Sequence, residues 1–307
     1  MAKVLIATDK PFAPVAVKGI REIIEKAGFE LVLLEKYTEK AQLLDAVKDV
    51  DAIIIRSDII DAEVVDAAKN LKIVVRAGAG YDNVDLNAAT AHKVCVMNTP
   101  GQNANAVAEL ALGMLVYAVR NFYNGTSGSE LMGKNLGILA YGNVGRNVAR
   151  IAKGFGMNIY AYDAFTPVSA IEADGVKTVG SVKELFEISQ VVSLHIPATP
   201  ETKNSINFDL INSMPKGAIV LNTARKEVID EVGLVKAFEE RSDFKFITDI
   251  KPSNDADLAA KYADRYFSSP KKMGAQTSEA NINAGLAAAS QIVDFLVNGN
   301  EKFRVNK

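Results

Sequence analysis

The strongest constraint on the fold is a rhythm. Short apolar runs, each closing on a polar or turn residue, alternate with amphipathic helical segments. "KVLIATD", "ELVLLE", "AIIIRSD", "KIVVRAG" and "VCVMN" carry it in the N-terminal third. Helical patterns such as "VAVKGIREIIEKAG" and "DAEVVDAAKN" fall between them. Strands apolar on both faces must be covered on both faces, and their alternation with helices makes parallel βαβ units. The rhythm resumes in "NLGILAYG", "NIYAYDAF", "VVSLHIPA", "AIVLNTAR" and "KFITDI", and at 307 residues two such sheets fit the length better than one.

Between the two sets, "GQNANAVAELALGMLVYAVRNF" reads as a long apolar helix from about Asn103 to Phe122, followed by a Gly/Ser-rich loop, "YNGTSGSELMGKN". The last helix, "SEANINAGLAAASQIVDFLVNG", begins near Ser278 as its N-cap, and "EKFRVNK" reads as a return strand. The expected fold is α/β with two doubly wound parallel-sheet domains. A Rossmann nucleotide domain, 99–279, is inserted in a discontinuous flavodoxin-like substrate domain, 1–98 and 280–307.

A net charge of −2 provides no general attraction to nucleic acid or anionic lipid, so neither is expected as a partner, and anion binding must come from local clusters. No apolar run is read as reaching the roughly 20 residues that span a bilayer. The N-terminus lacks the apolar core and cleavage site of a signal peptide. The single cysteine, Cys95, sits in "VCVMN" as a small core residue and excludes a disulfide framework or thiolate metal cluster. A cytoplasmic protein without a bound metal is expected.

"NLGILAYGNVGRNVARIAKGFG" is a strand, a glycine turn and a helix. Its turn, Ala140-Tyr141-Gly142-Asn143-Val144-Gly145, is an A-x-G-x-x-G form of the dinucleotide fingerprint. Gly142 lets backbone approach a pyrophosphate, Gly145 lets the helix pack on its strand, and the helix N-terminus offers N–H groups to phosphate. Alanine serves at the first position if the turn keeps φ negative there. Asp163 closes the next strand where a carboxylate binds ribose hydroxyls, and no arginine directly follows it, which favours NAD over NADP.

Other strand ends carry Arg56-Ser57, Arg76-Ala77-Gly78-Ala79-Gly80, Asn98-Thr99, His195-Ile196-Pro197, Thr223-Ala224-Arg225 and Asp249. Open α/β sheets bind ligands at these ends. One surface arginine is usually a solvated charge, but several at corresponding positions point to an anion-binding cleft. "RAGAGYDNVD" sets backbone N–H groups beside a guanidinium, which suits a carboxylate.

"RAGAGYDNVDLNAAT", "VMNTPGQNANAVAELALGML", "SLHIPATPETKNSIN" and "LNTARKEVIDEVGL" together resemble the D-2-hydroxyacid dehydrogenase family over essentially the whole chain. The resemblance implies hydride transfer between NAD and C2 of a small anionic 2-hydroxy acid, in a homodimer built around the helix from Asn103. Arg225 matches the family arginine that binds the carboxylate and polarises the 2-oxygen. It also implies cofactor contacts at Tyr141 to Gly145, Asp163, His195, Pro197, Thr202, Thr223, Ala224, Asp249, Gly274 and Ala275. Lys10, Arg56, Ser57, Arg76, Gly78, Ala79, Gly80 and Asn103 are the expected substrate residues. Lys10, in "TDKPFA", most favours a phosphorylated 2-hydroxy acid.

The family pattern breaks at its proton carrier. Where most members have a histidine the chain has "SPKKMGAQT", and aligning "MGAQT" puts Lys272 at that position. Counting from Asp249 puts Asn254 where the histidine's glutamate partner would stand. A lysine starts near pKa ~10.4, and a carboxylate partner would raise it further, so joint loss of both members suits a lysine acid/base. Lys271 is an alternative carrier; His92 is read as a surface residue. Three readings stand: a dehydrogenase of a phosphorylated substrate, a reductase of an unphosphorylated one such as glyoxylate or hydroxypyruvate, and a non-catalytic NAD-sensing dimer.

Overall fold

A computed structural model of the chain describes residues 1–306. It divides into two compact units, Met1–Asn103 with Gln276–Lys307, and Ala104–Ala275. The sequence reading placed the crossovers at 98/99 and 279/280; the units divide at 103/104 and 275/276.

The first unit holds β1 (Lys3–Thr8), β2 (Glu30–Glu35), β3 (Ala52–Ile55), β4 (Ile73–Arg76) and β5 (Cys95–Asn98), all parallel, in the order β2-β1-β3-β4-β5. Alternate residues serve two cores. Val4, Ile6, Ile54, Val75 and Met97 pack with the helices Pro14–Lys26 and Ser278–Asn298. Leu5, Ala7, Ile53, Ile55, Val74 and Val96 pack with Leu43, Val64, Val65 and Ala89 of three shorter helices. This is the flavodoxin-like winding, whose strand order reverses beside β1.

The second unit holds β6 (Asn135–Leu139), β7 (Asn158–Tyr162), β8 (Lys177–Thr178), β9 (Val191–Leu194), β10 (Ile219–Asn222), β11 (Lys245–Thr248) and β12 (Tyr266–Ser268). The order β8-β7-β6-β9-β10-β11-β12 is the Rossmann order extended by one strand, with the reversal between β6 and β9. Ile138, Ala161 and Leu221 pack on the helices Ala104–Val119 and Asn143–Gly154; Leu139, Val192 and Val220 face Phe186, Leu234 and Phe238.

The structure corrects four expectations. The apolar helix ends at Val119, and Asn121, Phe122 and Tyr123 follow with positive φ. The last helix is capped by Thr277, whose side chain accepts the Ala280 N–H, rather than by Ser278. "EKFRVNK" makes one bridge, Met97 to Arg304, in place of a strand, and Asn306 accepts the Val96 N–H instead; Lys307 lies outside the described residues. Ser278–Asn298, 21 residues, is also long and apolar enough to cross a membrane by length and composition, although its Ala284, Ala288, Ala289 and Ile292 are buried in the first unit's core. Cys95 is buried in that core as expected, and burial pushes its thiol up to about 11.

Candidate active site

In the second unit, the turn after β6 and the helix Asn143–Gly154 build a cradle at the sheet's reversal point. Gly142 caps the helix with φ −81°, and an added Cβ would meet nothing within 4 Å. At Gly145 an added Cβ would stand 2.4 Å from the Ala140 carbonyl oxygen, so only glycine allows this helix to sit on its strand. Ala140 departs from expectation. Its φ is +75°, not negative, and the turn is held by Ala140 N–H donating to the Tyr162 carbonyl (2.9 Å) and Tyr141 N–H to Asp163 (2.6 Å). Such a conformation costs alanine on the order of 1 kcal/mol, which these bonds offset.

Asp163 stands at the end of β7 as predicted, but its carboxylate also works as a clamp, accepting the N–H groups of Tyr141, Phe165 (2.7 Å) and Thr166 (2.8 Å). Burial opposes the charge, yet these amides hold the carboxyl below its ordinary range. Phe165, in the same turn, is 94% exposed. Tyr141 is buried beneath the turn, and its hydroxyl donates to Asp174.

His195 follows β9. Its N–H donates to the Leu139 carbonyl, its Nε2 pairs with Ser193 Oγ at 2.9 Å, and burial pushes its pKa down to about 4. The ring is therefore neutral near pH 7. Pro197 and Thr202 meet, Thr202 Oγ1 donating to the Pro197 carbonyl at 2.6 Å. After β10, Thr223 is 8% exposed, and its hydroxyl has no hydrogen-bond partner among the described residues.

Arg225 is exposed, and its turn is built by Asn222, a buried residue absent from the sequence-derived set. Asn222 Oδ1 accepts the Ala224 N–H (2.9 Å) and its Nδ2 donates to the Arg225 carbonyl (2.9 Å). A buried amide at a strand end was the available signal. Asp249, expected at the cofactor, accepts three hydrogen bonds from its own chain: Ser269 Oγ, Met273 N–H and Gly274 N–H all donate to it. Lys271 and Lys272 are exposed on the loop between those donors, and Ala275 is half-buried just beyond. Asn254 stands at the N-cap position of the helix Asp255–Lys261, its Oδ1 buried without a partner among the described residues.

In the first unit, Arg56, expected at the substrate, has its guanidinium engaged by its own chain. Its guanidinium donates to the carbonyls of Lys10 (2.9 Å) and Pro11 (3.2 Å) and to Asn281 Oδ1 (2.7 Å), and lies over the Phe12 ring. It staples the loop after β1 to the last helix, and Lys10 and Ser57 stay exposed. Arg76 differs: its Nε donates to the Arg56 carbonyl, and its guanidinium crosses Gly78, where a Cβ would stand 1.5 Å from Nη1. Burial, with the nearby Arg56 charge, lowers the Arg76 pKa. The Gly78–Gly80 loop is held by Thr99 N–H on the Gly78 carbonyl and Asn98 Nδ2 on the Ala79 carbonyl (2.6 Å). Asn103, half-buried, ends this unit. Asp58, also absent from the sequence-derived set, is buried and accepts the Asp9 N–H and the Tyr37 hydroxyl, fixing the Lys10 loop.

The second unit's cradle fits NAD on two structural grounds: the open space over Gly142 at a helix N-terminus, and the buried, unpartnered Thr223 hydroxyl at a strand end. The chain is 35% identical, over 95% of its length, to the D-3-phosphoglycerate dehydrogenase of Methanocaldococcus jannaschii, and 34% identical over 86% to the hydroxypyruvate reductase of Thermotoga maritima. It spans 57% of the first relative and 90% of the second. The NAD+-bound 3-phosphoglycerate dehydrogenase of Entamoeba histolytica superposes with a TM-score of 0.86 at 49% identity, covering 100% of this chain and 99% of that one. The sequence profile described as D-isomer specific 2-hydroxyacid dehydrogenase, NAD binding domain, matches residues 101–265. On that match, and on the cradle that these residues fold into, the chain belongs to the D-isomer specific 2-hydroxyacid dehydrogenases.

Proposed function

We propose that the chain is an NAD-dependent D-3-phosphoglycerate dehydrogenase, interconverting 3-phosphoglycerate and 3-phosphohydroxypyruvate on the route to serine. The observation that carries this is the 49% identity to the Entamoeba histolytica enzyme over the whole chain. Within the first unit, Arg76 and Lys10 offer cationic donors for an anionic group of the substrate. Within the second, the Arg225 fork suits a carboxylate and the 2-oxygen, where charge-assisted donors hold the developing negative charge.

When bound, the nicotinamide supplies or accepts the hydride at C2. In reduction Lys272, as an ammonium, donates the proton to the 2-oxygen; in oxidation it takes that proton as an amine. His195, neutral and bonded to Ser193, is left to orient the cofactor side. A cytoplasmic homodimer belongs to the same proposal, and light scattering decides its mass.

The test is NADH oxidation with 3-phosphohydroxypyruvate by the wild type, Lys272→Met and Lys271→Met. Robust wild-type turnover, a kcat lower by at least about a hundredfold in Lys272→Met alone, and unchanged NADH affinity are expected. Full activity in Lys272→Met moves the proton role to Lys271, and no wild-type turnover sinks the assignment. A hydroxypyruvate reductase is the second reading, favoured by the relative of which the chain spans 90%; equal kcat/KM with and without the substrate phosphate would select it.

A further inference from the structure

Three neighbouring strand ends of the first unit meet at the loop that carries Lys10. β1 lies between β2 and β3, so its loop, Asp9-Lys10-Pro11, is flanked by the chain leaving each neighbour. On the β2 side, Lys36 takes φ +56° and donates its N–H to the Thr8 carbonyl (3.0 Å), and Tyr37 follows. On the β3 side stands Asp58, 4% exposed. The Tyr37 hydroxyl donates to Asp58 Oδ1 at 2.8 Å, and the same oxygen accepts the Asp9 N–H at 2.7 Å. Asp58 is tied to its own strand end as well: its Oδ2 accepts the Arg56 N–H (3.2 Å), and its carbonyl accepts Asn83 Nδ2 (2.6 Å).

A buried carboxylate is costly without such donors, so the cluster favours one geometry. The Tyr37 ring packs on the core around Leu43 and Ile55. Burial, and then the bond to Asp58, pushes its hydroxyl above the ordinary range, so it stays a donor. Past Asp9, the Lys10 carbonyl accepts Thr8 Oγ1 (2.7 Å) and Arg56 Nη1 (2.9 Å). Lys10 also precedes a proline, which biases its backbone toward extended conformations. The loop backbone is therefore held on both sides of Lys10 while the side chain stays exposed. An ammonium on a flexible four-carbon stem is a mobile charge, and fixing its Cα narrows the volume that it searches.

We propose that Asp58 and Tyr37 are positioning residues for Lys10, and that through it they set the preference for a phosphorylated over an unphosphorylated substrate. This rests on the proposed function, with Lys10 as a cation for the substrate's phosphate. An amide cannot replace the Asp58 carboxylate without loss. Whichever way it turns, its NH₂ faces a backbone N–H, that of Asp9 or that of Arg56.

Steady-state rates with 3-phosphohydroxypyruvate and with hydroxypyruvate test it, on the full-length wild type, Asp58→Asn, Tyr37→Phe, and each of these combined with Lys10→Met. Asp58→Asn should raise the KM for the phosphorylated substrate about tenfold and that for hydroxypyruvate by no more than about twofold. Tyr37→Phe leaves the bond from Asp9 to Asp58 in place, so it should shift the same ratio by about threefold, and it keeps the test decisive if Asp58→Asn misfolds. Neither substitution should raise either KM further in the Lys10→Met background, because effects that act through one group do not add. Equal losses on both substrates overturn the proposal, as does a full effect without Lys10. Amide exchange at Asp9, which needs no substrate, should rise at least about tenfold in Asp58→Asn, and unchanged protection also overturns it. A wild type that turns over neither substrate, or prefers neither, sinks the functional reading, and the Asp9 exchange then decides on its own whether Asp58 holds the loop.

Discussion

The same substitution at two glycines three residues apart should fail in opposite ways. At Gly145 an alanine Cβ would stand 2.4 Å from the Ala140 carbonyl oxygen and 3.0 Å from Ile138 Cγ2. The oxygen is backbone, in a turn already bonded to β7, so it yields poorly. Overpacking of this kind costs roughly 1–3 kcal/mol, and about 2 kcal/mol in a unit of this size lowers Tm by roughly 4–8 °C. At Gly142 nothing lies within 4 Å and φ is −81°, so alanine meets neither clash nor strain. Its loss as an N-cap and its gain through the unfolded chain are each about 0.5–1 kcal/mol and nearly cancel. That Cβ would, however, enter the space a pyrophosphate needs to reach the helix amides. Losing one charged hydrogen bond of about 1.5–3 kcal/mol weakens NADH roughly tenfold to a hundredfold. Thermal melts without cofactor and fluorescence titration with NADH read both quantities. A folded Gly142→Ala that binds NADH within about twofold of the wild type would refute the cradle, and a Gly145→Ala with unchanged Tm would refute the clash.

Gly78→Ala should displace the Arg76 guanidinium, which lies 1.5 Å from the new Cβ, and raise the KM for 3-phosphohydroxypyruvate at least about tenfold with NADH affinity intact; a KM within about twofold of wild type contradicts this. His195, pushed down to about 4 from 6.5 by burial, stays neutral in the fold while the unfolded chain takes up a proton, so its effect is flat above pH 6.5 and destabilises as pH falls toward 4. At pH 5 this amounts to about 2 kcal/mol, so between pH 7.5 and pH 5 His195→Gln should lose about that much less stability than the wild type in urea melts, and parallel losses would exclude it.

The sheets were legible because their strands are apolar on both faces, a pattern that survives without knowledge of neighbours. β8 and β12 escaped because Lys177–Thr178 and Tyr266–Ser268 are too short, and too polar or mixed, to show it. Residue types at strand ends were legible too, but not which atoms face a ligand. Arg56 and Arg76 look alike in sequence as arginines closing buried strands. What separates them is Asn281, 225 residues from Arg56, and the missing Cβ of Gly78. Likewise the fingerprint locates Ala140, but its φ is set by hydrogen bonds to β7 that no local preference encodes.

A physical division of labour explains how a chain of net charge −2 can make local anion sites. In each unit the carboxylates at the strand ends are turned inward onto backbone N–H groups and hydroxyls: Asp58 in the first, Asp163 and Asp249 in the second. A carboxylate satisfied in this way stiffens a loop, and its negative charge is spread over donors instead of neutralising an arginine. Arg76 then keeps guanidinium donors beside a glycine loop, and Arg225 projects from a turn fixed by Asn222. Had those acids paired with the arginines, the same composition would have given surface salt bridges worth little and no site for an anionic substrate. The acids therefore act through geometry and the bases through charge.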